Sequence, residues 1–313
     1  MNVKHADARV WIEGMEEVDW GGSFFTREDS QVRCLTQALR CAGHAVTYAE
    51  VMGLSAAAFK LTMAPDLFVA EIHSEMGMDW TEVMARVWGV AYDPDAMSLS
   101  SEKNPGWREQ LHRAAVESIG RGVPLFYMNG EWNLLVGYRE DGTAFICKPY
   151  AGGEPGYQDM ATPGGFVGEA WFASVLRSTS EPAPRRDSVL WSLRKAVELA
   201  AKPAEKNGER LYGFAAYATW IAAIEDNRED ASKHGNAFSY SQLLTSRRAA
   251  AEYLRQVADE LGGDAAATCG QPPATTTPSR SAWMPARTAS RIRGTRAGRR
   301  RIGLRKRTSC GTA

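Results

Sequence analysis

The hydrophobic period of this chain changes between residues 123 and 148, and that change limits what the chain can fold into. On either side apolar residues recur at helical spacing; inside this stretch they alternate or form short runs. Residues 123–128 read as one strand, 132–138 as a second and 143–148 as a third. Glu140-Asp141-Gly142 supplies the Asp-Gly signal of a tight hairpin between the last two. Such a small sheet has to bury a face against something, and its sequence neighbours are helices. The expected class is α+β.

Before the strands, residues 31–42 put Leu35, Ala38, Leu39 and Ala42 on one helical face, with Gly43 as a natural stop. Thr47-Tyr48-Ala49-Glu50 has capping-box spacing for a short helix ending near Gly53, and Ser55 is placed to cap another through Leu61. Further helical patterns cover 79–90 and 106–120. Residues 9–30 are aromatic-rich and expected to be irregular, and 151–167, rich in Gly and Pro, to be a loop. The Pro-containing stretch 180–186 is the best linker, followed by helices alone at 187–202, 210–225 and 238–261. The expected organisation is an α+β domain over 1–179, a helical domain over 187–264 and a basic tail over 268–313. Trp107, Trp132, Tyr138, Trp191 and Trp220 are expected mainly in the core, with a few free to line an apolar pocket.

The formal net charge of zero conceals two opposed regions. From Thr268 to the end there are ten Arg, one Lys and no acid; without those eleven, 26 basic residues face 37 acidic ones. The body is thus at −11 and the tail at +11. An acidic body argues against nucleic-acid binding, and no run approaches the roughly 18 apolar residues of a membrane span. The start, Met1-Asn2-Val3-Lys4-His5-Ala6-Asp7, has no apolar core for a leader. Five scattered cysteines suit neither a disulfide framework nor a zinc site. The expectation is a cytoplasmic protein without cofactor or metal.

The tail leaves three readings open: a disordered arm for nucleic acid or anionic membrane, solvated disorder without a role, or a changed reading frame. Back-translating 267–277 with G/C-rich codons and skipping two nucleotides gives His-Leu-Arg-Ala-Ala-Ala-Gly-His-Tyr-Asp. That would continue the helical pattern interrupted at Gly262-Gly263.

Cys34 lies near the start of the 31–42 helix, where the macrodipole favours thiolate. Its azimuth puts it at the edge of the apolar stripe, so it is expected to be accessible in a groove between helix and sheet. A small hydrophobe in the core is the other reading. Cys41 is two turns along, roughly 10.5 Å away and beyond disulfide reach. His44 is expected at a helix end, and His73 could serve as a base only if the fold brings it to Cys34.

Cys34-Leu35-Thr36-Gln37-Ala38-Leu39-Arg40, Gly43 and Val46-Thr47-Tyr48-Ala49-Glu50-Val51-Met52-Gly53-Leu54-Ser55 resemble the N-terminal domain of butirosin biosynthesis protein H-like proteins. These are relatives of the double-glycine bacteriocin-processing cysteine peptidases. Glu131-Trp132-Asn133-Leu134-Leu135-Val136-Gly137-Tyr138 with Asp141-Gly142 is similar to the second motif of that family, and the resemblance covers about residues 10–175. It implies a papain-like fold with Cys34 at the nucleophile position. It also implies thiol-dependent acyl transfer or amide hydrolysis on a small molecule or peptide, an acyl carrier protein being one partner. The peptidase branch has its base His where this chain has Glu131, and an orienting Asp where it has Lys148. Alternation groups Glu131, Asn133 and Leu135 on one face, and the expected register sets Lys148 opposite or diagonal to Asn133, within reach of Glu131. Trp132 and Asn133 would support the site. A carboxylate beside the thiol raises its pKa, so the alternative is a catalytically degenerate papain-like binding module.

Overall fold

The 132–138 segment forms a strand paired on both edges, and that strand is the centre of the sheet. The computed structural model describes residues 2–15, 28–64, 67, 78–92, 97–99, 103–128, 130–150, 158–160, 172–203, 210–226 and 234–262. In chain order these form β1 (Val3–Ala6), β2 (Arg9–Ile12), α1 (Ser30–Cys41), α2 (Tyr48–Leu54), a 3-10 turn (Ala57–Phe59) and β3 (Thr62–Met63). Next come α3 (Trp80–Trp88), β4 (Val90–Tyr92), β5 (Met97–Ser98), α4 (Trp107–Gly120), β6 (Leu125–Met128), β7 (Trp132–Arg139) and β8 (Phe145–Lys148). The rest are β9 (Gln158–Met160), β10 (Phe172–Ser174), β11 (Leu176–Ser178), α5 (Arg185–Ala201), β12 (Leu211–Tyr212), α6 (Gly213–Glu225) and α7 (His234–Leu261). The chain is mixed helix and sheet, as its period change requires.

The main sheet runs β1-β2-β7-β6-β10-β5, with β8 on the other edge of β7 and β9 beyond it. One edge of β7 pairs with β6 over Trp132–Leu135 and then with β2 over Gly137–Arg139; the other edge belongs to β8. A bulge falls between Leu135 and Gly137. There β2 crosses so closely that a Cβ on Gly137 would lie 2.3 Å from the Val10 carbonyl oxygen, so the glycine is a packing requirement. The β7–β8 turn has Gly142 at φ 70°, the conformation its Asp-Gly signal demands.

Two expectations on irregular segments need correction. Residues 3–12 form a hairpin whose central Asp7 and Ala8 have φ 50° and 59°. Positive φ at both positions is the primed turn that Asn-Gly usually announces; with Asp-Ala the signal is missing from the sequence. The remainder of 9–30, except 28–30, lies outside the described residues. Inside the expected 151–167 loop, β9 pairs with β8, and the rest of that loop lies outside the described residues.

The helical region is not a separate domain. Val189, Ala249, Ala250, Tyr253 and Val257 belong to the same buried cluster as the sheet residues. The buried Tyr253 ring lies where a Cβ on Gly53 of α2 would be, 1.9 Å from its Cγ, and its hydroxyl is 2.8 Å from that of Ser192 on α5. The β12–β3 pair links the two regions again. Residues Met1–Gly270 form one compact unit, so the expected 180–186 boundary does not divide two cores. The expected tail domain, 268–313, lies outside the described residues. Among the described residues no helix is long and apolar enough to cross a membrane.

Candidate functional site

Helix α1 packs on β7, and it is buried nearly all round. Asp29 is its N-cap, accepting from the Val32 N–H at 2.9 Å, while its own N–H donates to the Tyr48 hydroxyl at 2.8 Å. Sequence reading began the helix at residue 31 and passed over Asp29, although a carboxylate one residue before a helix is the usual cap. Ser30 joins helix to strand: its hydroxyl donates to Glu131 Oε2 at 2.5 Å and accepts from the Trp132 N–H at 3.3 Å.

Asn133 continues the lacing. Its Nδ2 donates to the Glu131 carbonyl at 2.6 Å and its Oδ1 accepts from the Tyr150 N–H at 2.7 Å. The Tyr150 hydroxyl donates to the Glu28 carbonyl, and the Glu28 carboxylate pairs with Arg33 at 2.9 Å. The Ser30 and Tyr150 hydroxyl bonds tie the strand ends to the start of α1, and Asn133 holds those strand ends together. The contacts of Asn133 are structural ones, to the backbone of Glu131 and Tyr150.

Cys34 is 0% exposed and belongs to the core cluster. This overturns the expectation of an accessible thiol. The edge argument assumed a helix with one dry face, whereas Gln31, Thr36 and Gln37 are buried too. Burial pushes the Cys34 thiol well above its ordinary value; the carboxylates of Asp29 and Glu131 add to this and Arg33 opposes it. Cys34 is the fifth residue of α1, past the first turn where the macrodipole acts. The expected helix-terminus activation is absent.

Tyr127 and Cys147 are neighbours that sequence reading missed. Tyr127 pairs with Asn133, and Cys147 with Leu135, so cross-strand partners put both on the sheet face that α1 covers. Burial raises the Tyr127 hydroxyl, and the thiols of Cys147 and Cys34 raise it further. Only the register could have revealed this group. Cys41 is also buried, its thiol 3.8 Å from Met15 Sδ and pushed up to about 11. Cys34, Cys41 and Cys147 are thiols outside any disulfide among the described residues.

Lys148 requires a second correction. It pairs with Leu134, one residue out of the expected register. A shift of one turns a strand residue to the other face, so Lys148 shares the side of Leu134 and Trp132, not that of Asn133. Trp132 stacks on Tyr92 at 5.6 Å and meets the Phe126 ring edge-on at 6.2 Å. Its side chain is core.

A recess lined by Asp29, Met52, Lys60 and Thr62 has about 20 Å³, room for about one water. His44 follows α1, its N–H donating to the Leu39 carbonyl, and His73 lies outside the described residues. Among the described residues no cluster of His, Cys, Asp or Glu could hold a metal. No family model, no curated protein and no solved structure matches the chain.

Proposed function

We propose that this chain is a papain-like module that binds a small molecule or peptide without using Cys34 as a nucleophile. The observation that carries the reading is the complete burial of Cys34 among two carboxylates. A nucleophile needs thiolate, access to substrate and a base. Here the carboxylates disfavour thiolate, and Glu131, at the position of the base, accepts a hydrogen bond from Ser30.

The test is alkylation of the folded protein at neutral pH. Cys34 is expected to resist iodoacetamide until denaturant is added, and the Cys34→Ala variant to keep its fold and ligand binding. Rapid labelling of native Cys34, or trapping of an acyl-Cys34 species with a thioester substrate, defeats the proposal.

One observation favours the second reading, acyl transfer or amide hydrolysis through acyl-Cys34. The Glu131 carboxylate is close enough to influence the thiol, as a base would have to be. In that reading a small-molecule or peptide acyl donor, or an acyl carrier protein, opens the α1–β7 contact before reaction.

A further inference from the structure

Across the α1–β7 contact a hydroxyl meets a carboxylate. Ser30, the first residue of α1, donates its hydroxyl to Glu131 Oε2 at 2.5 Å, the length of an O–H donating to an ionised carboxyl group. A nucleophile and a proton acceptor in hydrogen-bond reach, with the acceptor oriented by a third group, are the signature of nucleophilic catalysis. The third group here is Asn133, whose Nδ2 donates to the Glu131 carbonyl at 2.6 Å. Ser30 is held as firmly: the Trp132 N–H donates to its Oγ at 3.3 Å, and Asp29 just before it caps the helix.

Exposure separates Ser30 from Cys34. The two are four residues apart on α1, so they share a face one turn from each other. Cys34 is 0% exposed and Ser30 7%, while Glu131 is half-buried. The Ser30–Glu131 pair is therefore at the outer end of the contact, open on the Glu131 side, and the thiol lies behind it. A carboxylate is a weaker base than imidazole at neutral pH, and that restricts the substrate. The leaving group has to depart with little help, which suits an oxyester or a thioester and not an amide.

We infer that Ser30 is a nucleophile and Glu131 its general base, acting on an acyl oxyester or thioester. Ser30 Oγ adds to the acyl carbon as its proton passes to Glu131 Oε2. The carbonyl oxygen takes up negative charge at the N-terminal end of α1, where the helix dipole favours it. The bond to the alcohol or thiol then breaks, and that group leaves with the proton held by Glu131. Water repeats the sequence on the Ser30 ester: it loses a proton to Glu131, adds to the acyl carbon and expels Ser30 Oγ, which takes the proton back. The sum is ester plus water to carboxylic acid plus alcohol or thiol, with Ser30 and Glu131 regenerated.

This chemistry leaves Cys34 idle, as the reading above does, and goes beyond it by assigning the reaction to another atom. The test applies a fluorophosphonate and p-nitrophenyl acetate to the full-length protein. Peptide mapping is expected to find the phosphonyl group on Ser30, in wild type and in Cys34→Ala alike. Hydrolysis of p-nitrophenyl acetate should disappear in Ser30→Ala and fall about 100-fold in Glu131→Gln, the lower end of a general-base effect. Ser30→Ala also removes the acceptor of the Trp132 N–H, so Ser30→Cys supplies a measurement that keeps a side chain of similar size. Its new thiol is expected to react with iodoacetamide in the folded protein while Cys34 does not. An unlabelled Ser30 in wild type, unchanged hydrolysis in Glu131→Gln, or a Ser30→Cys thiol that reacts only in denaturant would each overturn the inference and leave the reading above standing. Labelling of native Cys34 in place of Ser30 would overturn both.

Discussion

Helices α1 and α6 invert the usual relation between composition and burial. Ten of the twelve residues of α1 are buried, although they include Ser30, Gln31, Thr36 and Gln37. Of the thirteen residues of α6, almost all apolar or small, only Gly213, Ala216, Trp220 and Ala223 are buried. The contrast lies in the partners. Polar groups of α1 are satisfied: Asp29 caps the helix, Ser30 bonds to Glu131 and the Thr36 hydroxyl donates to the Val32 carbonyl at 2.7 Å. A buried polar group costs little once bonded. The outer stripe of α6 is apolar, and among the described residues it stays exposed. Burial follows what an element meets, and the residue types of the element alone do not decide it.

The sharpest way to break the comparison is to truncate one apolar residue on each helix. Leu39 is fully buried, so Leu39→Ala should destabilise the protein by about 2–5 kcal/mol through lost transfer energy and a cavity. Ile221→Ala on the exposed stripe should fall within about 0.5 kcal/mol of wild type. Chemical denaturation of both variants reads the difference. Comparable losses would mean that the α6 stripe is covered.

Alkaline pH should weaken the α1 region next. Burial raises Cys34, Tyr48 and Tyr127 well above their ordinary values. The unfolded chain ionises these groups at about 8.5 for thiol and about 10 for phenol, while the folded chain keeps them protonated. Their stabilising contribution is complete below those values and is lost as pH rises above them. Each group adds a slope of about 1.4 kcal/mol per pH unit inside its window. Urea titrations from pH 7 to 10 should show Cys34→Ala with a shallower decline than wild type beginning near the thiol window. Identical slopes would show that the thiol ionises as freely in the folded protein as in the unfolded one.

Asn133→Ala should cost somewhat less, about 1–3 kcal/mol, because it leaves the Tyr150 N–H buried without its 2.7 Å acceptor. The loss should loosen the segment that carries Glu131, seen as faster amide exchange at Trp132. A neutral result would remove Asn133 from the lacing between α1 and the sheet.

What the sequence disclosed follows the same division. The helices and the three central strands were legible, because their periods extend over enough residues and Asp141-Gly142 marks the turn. The cap of α2 was legible too: Thr47 accepts from the Glu50 N–H at 3.1 Å. The helix expected from Ser55 through Leu61 is only a 3-10 turn, Ala57–Phe59, without a side-chain cap. Strands of two or three residues, such as β4, β5 and β10, are too short to show a period. The site was half legible. Glu131 and Asn133 were placed by alternation, and both lie at the α1 contact. The register of β8 depends on a bulge at Leu135–Gly137, which no residue pattern announces, and that one-residue difference moved Lys148 to the other face and brought Cys147 in. The burial of Cys34 was hidden because the polar residues of α1 imply solvent unless their partners are known.

The smallest expected effect is the one most directly tied to the uncovered helix. Residues 268–313 contain few apolar side chains that burial could use. Removing them should change the unfolding free energy by less than about 0.5 kcal/mol, the range of an uninvolved surface change. It should also leave the exchange rates of α6 unchanged. At low ionic strength the charge of the truncated chain, −11 against 0 for the full one, should show in its electrophoretic mobility and solubility, and salt should erase that difference. A loss of stability on truncation, together with faster exchange in α6, would show that the basic segment itself covers the α6 stripe, and the contrast between α1 and α6 would then vanish.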